Sequence, residues 1–112
     1  MPSGASSGIL DSITFTPAHA GKVRVTVTCT AQGVSGGDFG SAYALKAFAT
    51  QDGSTTYGNA TPVSTDRLPY TVVHIIPIIA DELVECGIYG EISGAVSMTG
   101  WDFDIKAEVF KR

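Results

Sequence analysis

The side chains that could do chemistry in this chain are few: His19 and His74, Cys29 and Cys86, a serine in a glycine-rich stretch, two closely spaced aspartates, and one tyrosine beside an asparagine. His19 lies in the turn "PAHAG", and His74 sits among valines and isoleucines with no acid close in sequence. Such histidines read as a surface residue and a satisfied buried or interfacial imidazole, not as a base or metal ligand. Cys, His and carboxylates nowhere fall at zinc spacing. The stretch Gly33 to Gly37, "GVSGG", matches the G-x-S-x-G pattern of a nucleophile elbow, but the elbow needs a helix after the serine and a parallel sheet beneath it. More glycine follows Ser35, so a glycine-rich loop is expected instead. Asp102 and Asp104 could bridge a hard cation with help from a loop, although two acids on the wet face of a strand need no such reason. Tyr57 with Asn59 could form a small sugar- or receptor-binding platform if the ring were exposed. The sequon Asn59-Ala60-Thr61 is a chance match in a chain without a secretory leader pattern. No enzyme and no cofactor are expected from these residues.

The elements that must hold them are strands. Charged residues are 16 % of the chain, below the usual quarter, while glycine and small hydroxyl residues are plentiful, as in turn-rich β proteins. At 112 residues the chain is one domain with one core. A net charge of −4, with 7 basic residues scattered singly, offers no basic stripe for nucleic acid. The longest apolar run, Val72 to Ala80, is interrupted by His74 and Pro77 and is too short to span a membrane as a helix. "MPSGASSG" has neither the positive flank nor the apolar stretch of a secretory signal, so cytoplasmic synthesis and assembly are expected.

Residues 1 to 8 have nothing to bury and read as a flexible N-terminal arm, leaving residues 9–112 as the folded domain. Ile9 to Thr16 reads as a strand with Ile13 and Phe15 on one face. "GKVRVTVTCTA", residues 21–31, alternates cleanly, with Val23, Val25, Val27, Cys29 and Ala31 on one side and Lys22, Arg24, Thr26, Thr28 and Thr30 on the other. Both cysteines fall on inward positions and read as free thiols, a disulfide being the alternative. "SAYALKAFAT" suits either a short helix or a strand, and Asp52-Gly53 just after it is a two-residue hairpin signal that favours the strand. "NATPVSTDRLP" reads as a loop. In "YTVVHIIPIIA" both faces are apolar, so the strand should be covered on both sides, by its own chain or by another subunit; Pro77 places that part at an edge or bulge. In "LVECGIYGEI", Val84, Cys86 and Ile88 point one way. "SGAVSMTG" reads as a short separate piece, and "WDFDIKAEVF" alternates again, with Trp101, Phe103, Ile105, Ala107 and Val109 expected inward. Seven to eight strands and no helix predict an all-β, antiparallel, jelly-roll-like β-sandwich.

"ITFTPAHAGKVRVTVTCTA" resembles the F-x-P-x-x-G-x-Y-x-V opening of C1q/TNF-like jelly rolls, and "PIIADELVECGIYG" is similar to their L-x-A-G-D-x-V strand opening. "WDFDIKAEVFKR" is similar to the last strand of such modules in bacteriophage head-decoration and tail-fibre proteins. Val23 stands where that family prefers an aromatic, and Ala80-Asp81-Glu82 lacks its glycine. The resemblance implies a homotrimer whose axis is lined by the outer face of one sheet, in a structural virion protein of a phage-like particle. On that reading Val73, Ile75 and Ile79 make the subunit contact. The arm, Pro2, Ser3, Gly4, Ala5, Ser6, Ser7 and Gly8, anchors the protein to a capsid or tail partner. The alternative is a carbohydrate- or receptor-binding module using Tyr57 and Asn59.

Overall fold

In the computed structural model, which describes residues 8–34, 43–64, 66–92 and 97–110, the chain is all-β. Eight strands follow in order: β1 (Gly8–Phe15), β2 (Gly21–Val34), β3 (Tyr43–Gln51), β4 (Ser54–Tyr57), β5 (Thr61–Pro62), β6 (Leu68–Ile78), β7 (Val84–Ile92) and β8 (Ser97–Phe110). All their pairings are antiparallel. One sheet has the order β1-β7-β3-β4, with β5 also on β3; the other is β6-β2-β8. The two sheets form the predicted jelly-roll-like sandwich.

The connectivity is a nested ribbon rolled into two layers. Its closed end is the β3–β4 hairpin, whose two-residue turn has Asp52 at φ 54° and Gly53 at φ 76°, the double left-handed conformation that matches strand twist. Around it nest β2 with β6, then β1 with β7. Rolling adds the pairs β3–β7 and β2–β8. The ambiguous alanine-rich segment is therefore a strand, fixed by the turn that follows it.

The core lies between the sheets and comes from alternate positions of three strands above all. Val23, Val25, Val27 and Ala31 of β2, Leu45, Ala47 and Ala49 of β3, and Val84, Cys86 and Ile88 of β7 are all fully buried. On one side of the sandwich the layers close on each other. A Cβ at Gly58 would lie 2.5 Å from the carbonyl oxygen of Val73, so only glycine lets the chain after β4 run against β6.

Several expectations need correction. The loop read over 59–69 contains the short β5, which extends the β4 edge along β3. Ser97 to Gly100 are not a separate piece but the start of β8. Gly8 belongs to β1, opposite Gly90; the rest of the arm, Pro2 to Ser7, lies outside the described residues, as does Ser35. The largest correction concerns Trp101. Between the pairs Thr28↔Asp104 and Thr30↔Trp101, two residues of β8 face one of β2, and Asp102 adopts φ 56°. This bulge shifts the alternation by one residue. Trp101 consequently shares the outer face with Thr30, where the Arg67 guanidinium stacks 4.3 Å from its ring centroid. Phe103, past the bulge, faces inward, with its ring over Gly100. Val109 faces inward as read, yet it is 47 % exposed.

Candidate functional site

The threonine side of β2 forms the floor of a surface feature on the outer face of its sheet. A groove of about 550 Å³ is lined by Arg24, Thr26 and Thr28 of β2, Val73 and Ile75 of β6, and Asp104, Lys106 and Glu108 of β8. Register places these side chains. Thr26 lies between Val73 and Lys106, and Arg24 between Ile75 and Glu108. Opposed residues of an antiparallel pair project to the same side, so the outward half of all three strands forms one surface.

That surface is chemically divided. Along β6 it is apolar: Val73 and Ile75 are 45 % and 50 % exposed, so the sandwich covers one face of this strand only. Along β8 it is charged, and the Arg24 guanidinium donates to Glu108 Oε1 from both Nε (3.0 Å) and Nη2 (2.7 Å). The pair is half-exposed on both sides, which makes it an orienting contact rather than a large source of stability. The threonines between offer small, β-branched side chains with hydroxyls.

Of the three residues expected at a subunit contact, the structure brings Val73 and Ile75 into this groove and places Ile79 elsewhere. Ile79 lies one residue beyond β6 in the turn to β7, with its side chain 47 % exposed. Pro77 sits on β6, the outer strand of its sheet, where a missing N–H is tolerated.

Tyr57, 45 % exposed, is the last residue of β4. Its ring lies 5.1 Å from that of Tyr89, and Lys46 Nζ stands 5.4 Å from its centroid, while Lys46 also pairs with Glu91 at 3.4 Å. The ring is thus engaged by its own sheet on the face opposite the core. Asn59 is exposed in the link between β4 and β5. Alternation assigns Phe48 to this same outer side, opposite Tyr57, yet it is buried.

The remaining candidates lie away from the groove or on its rim. His19 is exposed in the β1–β2 turn. His74 Nε2 is 2.8 Å from Thr56 Oγ1, a bond that joins the edge strands of the two sheets. Burial lowers its pKa below 6.5. Both cysteines are free and buried, and burial raises their thiols to about 11, with the charge of Glu85 adding to the effect at Cys86. Among the described residues no three His, Cys, Asp or Glu side chains gather as a metal site, Asp102 and Asp104 included.

These shifts have opposite consequences for stability. Each raised thiol favours folding below its unfolded pKa near 9.0, and the contribution is lost as pH climbs through about 11. The lowered His74 favours folding above 6.5, and its contribution is lost as pH falls through the folded value. Urea midpoints should therefore fall on both flanks. A Cys29→Ala, Cys86→Ala protein should lose the alkaline slope between pH 9 and 11, and a midpoint profile identical to the parent's would contradict this assignment.

No family model matches the chain, and no curated protein matches it in sequence.

Proposed function

We propose that this protein is a non-enzymatic structural subunit that assembles through the outer face of β6-β2-β8. The observation that carries this reading is the groove, where exposed Val73 and Ile75 meet Thr26 and Thr28 on a continuous, open sheet face. An apolar strip with a polar rim is the composition of a subunit contact, and closed rotational symmetry would bury the same strip on every copy. Thr26 lies at the centre, between Val73 and Lys106.

The particle is the finer part of the proposal. The resemblance of the opening and closing segments to C1q/TNF-like jelly rolls of bacteriophage appendages supports a threefold assembly serving as a capsid decoration or tail-fibre module. In that setting the segment Pro2 to Gly8 would hold the subunit on its capsid or tail partner. The jelly-roll-like connectivity fits such a module.

Multi-angle light scattering at micromolar concentration tests the assembly. The parent should run at a multiple of 11.6 kDa, three on the threefold reading. Thr26→Asp should run at 11.6 kDa with an unchanged β-sheet circular dichroism spectrum, because burying a carboxylate in a dry contact costs more desolvation than the neighbouring Lys106 returns, whereas on a wet strand it is tolerated. A parent that is monomeric throughout, or a variant with the parent's mass, would sink the proposal.

A further inference from the structure

The turn that joins β6 to β7, residues 79–83, presents two large aliphatic side chains to solvent. Leu83 is 59 % exposed, the highest value among the large apolar side chains of the described residues, and Ile79 is 47 % exposed. Between them stand Asp81 and Glu82, both exposed. Connecting segments are ordinarily the mobile part of a domain. This one is pinned. The Gln51 side-chain amide bonds the N–H and carbonyl of Ile79 and the carbonyl of Glu82, and the Asp81 N–H donates to the Pro17 carbonyl. The turn therefore holds its exposed side chains in one arrangement before any partner arrives, which removes much of the ordering cost of a contact.

The groove on the outer face of β6-β2-β8 has the opposite shape, a hollow of about 550 Å³. Two copies set face to face across it would bring hollow against hollow and leave the space unfilled, whereas the core of a stable contact packs as densely as a protein interior. A convex apolar element is what fills it. The turn matches the groove in chemistry as well as shape. Ile79 and Leu83 suit the apolar wall of Val73 and Ile75. Asp81 and Glu82 suit Lys106 on the other wall, an exposed ammonium with no ion pair among the described residues. The turn cannot enter its own groove, because Gln51 fixes it to β3 in the facing sheet. The occupant is then another copy.

We propose that the 79–83 turn of one copy seats in the groove of the next, with Ile79 and Leu83 against Val73 and Ile75 and the acidic pair toward Lys106. This rests on the assembly proposed above and specifies its contact as heterologous: each subunit gives one surface and receives on a different one. Contacts of that kind close into a ring when the rotation between neighbours divides a full turn, and run on as a filament when it does not. Three copies close the ring on the threefold reading. The arrangement also returns Ile79 to the interface, on the opposite side of the contact from Val73 and Ile75. On each subunit the exposed residues Val73, Ile75 and Pro77 of β6 lead out of the groove to Ile79, so socket and projection are two ends of one apolar strip.

The test disables each half of the junction separately. Thr26→Asp spoils the groove, and Ile79→Ser with Leu83→Ser removes the projection at two exposed side chains while leaving the backbone groups that Gln51 holds. By sedimentation velocity the turn variant should run at 11.6 kDa, with the parent's circular dichroism spectrum and a cooperative melt. Mixed in equal amounts at roughly 0.5 mM, enough to populate a single junction of submillimolar Kd, the two variants should form a species of two subunits. Association should stop there, because the intact turn of the Thr26→Asp chain fills the intact groove of the other and no further junction is available. A turn variant with the parent's oligomeric mass would overturn this inference and leave the assembly reading standing. Mixed variants that stay at 11.6 kDa would overturn it as well. A monomeric parent would overturn both.

Discussion

Val25→Asp is expected to abolish the folded state, whereas Phe103→Asp, on the neighbouring strand of the same sheet, should leave a folded but weakened protein. Val25 is fully buried at the middle of β2, flanked by His74 on β6 and Ala107 on β8, and its side chain meets the core between the sheets. Truncation alone, Val25→Ala, should cost roughly 2 to 3 kcal/mol in lost burial and cavity. The carboxylate adds desolvation with no buried cation to answer it, for a total above about 5 kcal/mol. A domain of this size holds roughly 6 to 15 kcal/mol in all, so little or no folded population remains. Phe103 lies on the edge strand β8 and is partly exposed, so an aspartate there can turn toward water. Thermal melts followed by circular dichroism distinguish the two: a cooperative transition for Val25→Asp at ordinary temperatures would contradict the burial assignment, and its absence for Phe103→Asp would contradict the partial exposure of that edge position.

The contrast between those two positions shows what could be read from the sequence. Both lie in cleanly alternating strands, and alternation assigns a side chain to a face but carries no information about what covers that face. The valines of β2 are sealed because β2 is the middle strand of its sheet, which is a property of pairing across the chain. Phe103 and Val109 have the same periodicity and less cover because β8 is an edge. Trp101 fails for a different reason. A bulge changes parity without leaving a mark that survives inspection, since Asp102 is not the glycine that a left-handed bulge residue usually announces. The hairpin at Asp52-Gly53, by contrast, was legible because its backbone conformation restricts residue type. The groove was half legible. The doubly apolar pattern of β6 singled out Val73 and Ile75, but only register shows that Thr26 and Thr28 lie beside them, and Ile79 kept the pattern while leaving the strand.

Gln51→Leu is expected to destabilise the protein by roughly 2 to 4 kcal/mol, the second-largest single effect, at a residue that sequence periodicity passes over. Alternation in β3 places Gln51 on the inward side after Leu45, Ala47 and Ala49, at the end of the sandwich where the chain crosses from β6 to β7. Its side-chain amide behaves there as an additional peptide group. Oε1 accepts from the Ile79 N–H at 2.9 Å, and Nε2 donates to the Ile79 carbonyl at 2.9 Å and to the Glu82 carbonyl at 3.1 Å. The crossing turn, which contains Asp81 at φ 66° and is also tied to the Pro17 carbonyl through the Asp81 N–H, is thereby fixed to the opposite sheet. Leucine fills the same space and leaves the three backbone groups to find water in a nearly closed site. Gln51→Glu separates hydrogen bonding from packing. At neutral pH its carboxylate can still accept from Ile79 but faces two carbonyls without a proton to donate, so its folded pKa should rise. By linkage, the protonated side chain's contribution is complete below the unfolded value near 4.3 and is lost as pH rises through the folded one. Relative to the parent at each pH, Gln51→Glu should therefore recover stability on acidification while Gln51→Leu does not. Urea midpoints at neutral and mildly acidic pH decide it: two variants that track each other, or a leucine variant within about 0.5 kcal/mol of the parent, would mean that the amide is not what holds the turn.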